Sequence, residues 1–111
     1  MNATILHNPR CSKSREALAV LQDAGAIATV IEYLKTPTSR DELARLYAKG
    51  GMSPRDGLRK AEAGAKLLKD ASDDAILDAM ATDPILIERP LVETDKGVRL
   101  GRPPEAIREI L

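Results

Sequence analysis

The sequence predicts an α/β domain, a mixed sheet interrupted by a helical insertion. Three observations carry that expectation: a strand, helix and strand succession in the first third of the chain, a two-strand hairpin with a helix near its end, and an intervening stretch with helix caps and helical spacing. A chain of 111 residues is one domain's worth and can bury a core without disulfides or metals.

Thr4, Ile5, Leu6 and His7 read as a short strand stopped by Asn8-Pro9, because proline lacks the amide that a sheet ladder requires. After a loop carrying Arg10 and Cys11, the residues Ala17, Leu18, Val20, Leu21 and Ala24 recur at helical spacing, and Gly25 closes that helix. The run from Ala28 to Tyr33 has the β-branched content and length of a buried strand. A crossover helix between two strands of one sheet makes them parallel.

Three helical stretches are predicted next. One opens with the capping box Ser39-Arg40-Asp41-Glu42, packs on Leu43, Leu46 and Tyr47, and stops at Gly50-Gly51. Ser53-Pro54 starts a short second one. Ser72 caps a third, where Asp73 and Asp74 suit the positive end of the dipole and Ile76, Leu77 and Met80 form the apolar stripe. Beyond Ile85-Leu86-Ile87, the runs Leu91 to Thr94 and Val98 to Leu100 flank a turn at Asp95-Lys96-Gly97, a hairpin pattern. Pro103-Pro104 then opens a terminal helix with Ile107, Ile110 and Leu111 on one side. A βαβ unit, a later hairpin and helix, and a thiol between the first strand and first helix describe a thioredoxin-like mixed sheet. The expected organisation is a single domain, 1–111, with core 1–35 and 84–111 and helical insertion 36–83.

Composition narrows the function. Lysine plus arginine and aspartate plus glutamate both count 17, and two tyrosines without Phe or Trp leave few stacking platforms, which argues against a nucleic-acid partner. No apolar run reaches the ~20 residues of a membrane helix, and the first residues lack a signal pattern, so a cytoplasmic protein without a membrane role is expected. A monomer is the expected state. The single cysteine cannot form an internal disulfide or a multi-thiolate metal site, so no metal is expected, and a redox partner for Cys11 must come from another molecule.

A solitary cysteine is commonly inert packing; context is what distinguishes Cys11. It lies in a polar loop at a helix start, where unpaired amides and the dipole stabilise a thiolate, and Arg10, Lys13 and Arg15 precede or surround it before the first acid at Glu16. The amides of Cys11 to Arg15 and the planar fork of Arg15 can seat an oxyanion, although an arginine there can equally decorate an exposed helix face. Ser14 occupies the second-thiol position of a Cys-x-x-Cys motif, and its hydroxyl could donate to the Cys11 sulfur or be ordinary first-turn polarity. His7 ends the first strand, as a packing or a titratable group. Arg89 and Arg102 each precede a proline in loops flanking the hairpin, but spacing alone selects neither these nor Arg59 among the basic residues.

The segment His7-Asn8-Pro9-Arg10-Cys11-Ser12-Lys13-Ser14-Arg15 resembles the active-site segment of the glutaredoxin-linked arsenate reductase family. Pro37-Thr38-Ser39-Arg40-Asp41-Glu42-Leu43, Leu58-Arg59-Lys60, Pro84 through Val92, and Arg99-Leu100-Gly101-Arg102-Pro103-Pro104-Glu105 are similar to successive family blocks in order, so the resemblance covers nearly the whole chain. It implies that Cys11 is the catalytic nucleophile, that Arg59, Arg89 and Arg102 bind the oxyanion and later arsenic–thiol intermediates, and that His7 and Ser14 tune the thiolate. It also places Pro90 where thioredoxin-like folds carry a cis proline. The implied chemistry is reduction of arsenate to arsenite through a Cys11–arsenic intermediate, with glutathione as reductant, glutaredoxin as resolving partner and no bound cofactor. Two alternatives share the fold: a regulatory protein that binds a partner such as RNA polymerase, a branch usually carrying Cys-x-x-Cys where this chain has Ser14, and a glutathione-dependent thiol oxidoreductase with another substrate.

Overall fold

The strand, helix and strand at the start of the chain are β1 (Asn2–His7), α1 (Ser12–Asp23) and β2 (Ile27–Glu32). The computed structural model describes all of residues 1–111, which divide into two units, residues 1–36 with 89–111 and residues 37–88. The first unit is built on a four-stranded sheet of order β2-β1-β3-β4. β1 runs parallel to β2, with Asn2 opposite Ile27 and His7 opposite Glu32. On its other side it pairs antiparallel with β3 (Leu91–Thr94), Leu6 facing Leu91, and β3 turns through Asp95-Lys96 into β4 (Gly97–Leu100). α1 ends where the sequence predicts, because Gly25 takes a φ of +77°, a conformation that side chains rarely tolerate.

Burial of Ile5, Ala17, Leu21, Val92, Ile107 and Ile110 forms the core of this unit. Each fully buried Ile, Leu or Val side chain contributes about 1.5–3 kcal/mol of transfer free energy. The run from Ala28 to Tyr33 departs from its predicted burial at Val30, which is 43 % exposed, while Tyr33 at its end is buried. β2 stands at the sheet edge with β1 as its only neighbour, whereas β4, at the other edge, buries Val98. The terminal helix also differs in kind. Pro104–Ile110 is a 3-10 helix, in which residues three apart eclipse, so Ile107 and Ile110 fall on the same buried face. It is fastened to the hairpin by Thr94 Oγ1, which donates to the Ile110 carbonyl at 2.6 Å, and by Lys96 Nζ on the Leu111 carbonyl at 2.9 Å.

In the second unit α2 (Arg40–Lys49) is capped by Ser39, whose Oγ accepts from the Glu42 N–H. The Glu42 carboxylate pairs with Arg45 at 2.5 Å, and the reciprocal box forms instead at Ser53 and Asp56, opening a 3-10 turn over Pro54–Gly57. A Cβ at Gly57 would collide with the Tyr47 ring, so only glycine fits there. α3 (Ala63–Lys66) is a single turn that periodicity did not predict. α4 (Asp73–Thr82) starts at Ser72 as predicted, its Oγ accepting from the Ala75 N–H. Arg40 joins α2 to α4 through Asp74 and Asp78, both at 2.6 Å. Ile85 and Leu86 lie in a 3-10 turn, and Ile87 bridges to Leu58. No helix is long and apolar enough to cross a membrane.

Candidate active site

Cys11 is the N-cap of α1, with φ −93° and ψ 122°, and is partly exposed. The loop before it is set by Asn8: its carbonyl accepts from the Cys11 N–H at 3.0 Å and its Oδ1 from the Arg10 N–H at 3.0 Å. This Asx arrangement turns the chain from β1 into α1; Asn8-Pro9 was read from sequence as the stop of the first strand, but not the hydrogen bonds that Asn8 makes there. The Cys11 carbonyl accepts the first helical bond, from Arg15 N–H at 3.0 Å. Of the five amides expected to seat an anion, those of Cys11 and Arg15 are therefore already bonded to the backbone. The donors at the thiol are the next amides in the turn.

Burial pushes the Cys11 thiol up, but the Ser14 N–H, the nearby Arg89 charge, the Lys13 N–H and a hydrogen bond from the Arg89 side chain together outweigh it. The result is a thiol held below its ordinary value. The cation at the sulfur is Arg89, brought there by the fold from far along the chain. The Lys13 ammonium instead lies 3.8 Å from Glu16. Arg15 turns to the loop, donating from a terminal nitrogen to the Pro9 carbonyl at 2.9 Å.

Ser14 is fully buried, and its hydroxyl does not serve the sulfur. It accepts from the Asn8 N–H at 3.0 Å and shares a 2.6 Å hydrogen bond with His7 Nδ1. With the hydroxyl engaged by Asn8 and His7, it is the backbone N–H of Ser14 that reaches Cys11. His7, 6 % exposed, is held below its ordinary pKa, by burial first and then by Arg15, against an opposing pull from Glu32, its strand partner. A neutral imidazole is what this environment favours, so His7 braces the loop through Ser14. Glu32 was missed in sequence; only the register of β1 and β2 brings it opposite His7.

Arg89 and Arg102 meet at the base of the hairpin, where an Arg102 terminal nitrogen donates to the Arg89 carbonyl at 3.1 Å. The Arg89–Pro90 and Arg102–Pro103 bonds are both cis, the second unanticipated. Gly101 lies against this corner, its N–H donating to the Pro90 carbonyl at 2.8 Å, and a Cβ there would stand 2.7 Å from Pro90 Cγ. Arg59 belongs to the second unit, paired with Glu62 at 2.9 Å. No group of three or more His, Cys, Asp or Glu converges as a metal site would.

With this geometry in view, residues 6–110 match the family model described as the ArsC family. The chain belongs to that family. It is 47 % identical to an arsenate reductase of Escherichia coli K12, over 99 % of this chain and 81 % of the relative, and 46 % identical to one of Rhizobium meliloti, over 100 % and 82 %. Among solved structures it matches an arsenate reductase from Vibrio cholerae with a TM-score of 0.93 at 47 % identity, covering 100 % of this chain and 98 % of that one. The ArsC membership fits the thioredoxin-like mixed α/β fold expected from the element order.

Proposed function

We propose that this ArsC-family chain is an arsenate reductase with Cys11 as its nucleophile. The observation that carries the reading is the thiol at the start of α1, lowered by backbone N–H groups and by Arg89. A thiolate and an arsenate anion repel, so attack needs fixed positive charge where they meet, and Arg89 supplies it, with Arg102 fastened to its carbonyl. In this scheme Arg15 acts by holding the Pro9 carbonyl, hence the loop.

The thiolate displaces hydroxide from arsenate to give a Cys11–arsenic bond, with arsenic still pentavalent. Reduction to the trivalent state needs two electrons from thiols, which leave as a disulfide. The chain has one cysteine, so a second thiol must come from solution. Glutathione fills that role in this reading, and glutaredoxin resolves the resulting mixed disulfide. A reducing cytoplasm suits such a lone thiol. Residues 1–111 then act as one catalytic domain.

The test is NADPH oxidation with arsenate, glutathione, glutaredoxin and glutathione reductase. Arsenate-dependent turnover is expected in the native protein and absent in Cys11→Ser. Turnover that survives the substitution would refute the assignment.

A further inference from the structure

A cavity of about 390 Å³ opens beyond the carboxyl ends of the parallel strands β1 and β2, lined by His7, Arg10, Glu32, Leu34 and Lys35 among others. Small-molecule sites span about 300–1,000 Å³, and in α/β sheets they lie outside the carboxyl ends of parallel strands. We propose that this cavity is the seat of the reducing thiol, a small zwitterionic peptide thiol of net charge −1, which is glutathione under the function proposed above, on which this inference rests.

The charge pattern selects that class of ligand. Two cations, Arg10 and Lys35, and one carboxylate, Glu32, face the cavity, and glutathione carries two carboxylates and one ammonium. Arsenate, a compact anion without an ammonium or an apolar part, would leave Glu32 repelling it and Leu34 unused. Leu34 is 46 % exposed and offers an apolar wall for the ligand's methylenes. Lys35 and Glu32 already pair with each other at 3.5 Å, at 77 % and 42 % side-chain exposure. A pair so exposed is weak and exchanges its partners for those of a ligand at small cost. Asn8, Pro9 and Arg10, the loop that leads into Cys11, line the cavity, so a ligand there lies against the thiol loop.

The direct test is calorimetric titration with S-methylglutathione, whose blocked sulfur cannot react. Binding to the native protein is expected to weaken about tenfold in Lys35→Glu and in Glu32→Lys, as loss of one charge-assisted contact implies. Lys66→Glu, the same charge change in the second unit, should leave it unchanged. In turnover the first two variants should raise KM for glutathione without moving KM for arsenate or the alkylation rate of Cys11. Absence of binding to the native protein, or equal weakening by Lys66→Glu, would overturn the proposal. Failure of arsenate turnover with S-methylglutathione binding intact would overturn the arsenate reading and leave the seat standing.

Discussion

Two regions of this chain gather positive charge, and they differ in everything else. Around Cys11 the donors are fixed: the Lys13 and Ser14 N–H groups belong to a helix turn, and Arg89 precedes a proline at a corner packed on Gly101. In the second unit a cavity of about 310 Å³ is lined by Arg55, Lys60, Lys66 and Lys69 over Leu58 and Ala65. It has more cationic side chains, yet Arg55 turns its guanidinium to the Leu68 and Ala71 carbonyls and no nucleophile stands among them. Cation density alone does not activate anything; directed donors around a reactive atom do.

The comparison breaks most readily at Arg89. Arg89→Ala should lower arsenate turnover by about 100- to 1,000-fold, the usual loss of about 2.7–4 kcal/mol when a preorganised electrostatic contact is removed, and should raise the Cys11 pKa in a thiol titration. A variant with native turnover would show that Arg89 is no more engaged than the lysines of the other cavity.

Ser14→Ala separates side chain from backbone. Losing the buried hydroxyl leaves His7 Nδ1 and the Asn8 N–H unsatisfied and should cost about 1–3 kcal/mol in urea unfolding. The thiol titration should move little, because the donor at the sulfur is the Ser14 N–H. A large rise in the thiol pKa would mean that the hydroxyl matters to the sulfur after all.

Stability against pH tests the same thiol more gently. A native thiol pKa below the unfolded one means that the unfolded chain binds more protons between the two values, so stability rises with pH across that window, is fully present above the unfolded value and is lost as pH falls through the native one. The lowered His7 value has the same sign at lower pH, beginning near ~6.5. Urea midpoints should therefore climb between neutral and alkaline pH in the native protein and climb less in Cys11→Ser. Parallel curves would count against a lowered thiol.

The smallest effect belongs to the other cavity. Replacing Lys60, Lys66 and Lys69 together by Gln should leave turnover unchanged and shift stability by no more than about 0.5 kcal/mol for each position. A drop in turnover comparable to that of Arg89→Ala would erase the distinction between the two regions.

What the sequence made legible was local. The periodicity of Ala17, Leu18 and Leu21, the glycine at 25 and the serines at 39 and 72 act through neighbours a few residues away, and those boundaries stand in the structure. β2 was misjudged because a β-branched run looks the same whether its faces are covered or not; which strands the fold covers is a tertiary property, and of the two edge strands only β4 has a fully buried residue, Val98. The three-residue spacing of Ile107 and Ile110 suits an α-helix or a 3-10 helix, and no spacing rule separates them over so short a segment. α3 carried too few apolar residues for any period.

At the site, the position of Cys11 at a helix start is a local property and was legible. The two amides lost to backbone bonds are spent on local turns, Cys11 on Asn8 and Arg15 on Cys11, and the Ser14 hydroxyl is diverted to His7 by the way the loop folds α1 back on β1. The arrival of Arg89 at the thiol is a tertiary event, visible only once β1 and the hairpin are brought together.

Because two of the groups that lower the Cys11 thiol are main-chain N–H donors of Lys13 and Ser14, a change of the exposed Lys13 side chain leaves them in place. Among the common replacements only proline deletes an N–H. Part of the lowering of the thiol is thereby insulated from mutation at exposed positions of the turn, while the buried Ser14 stays constrained by its own bonds.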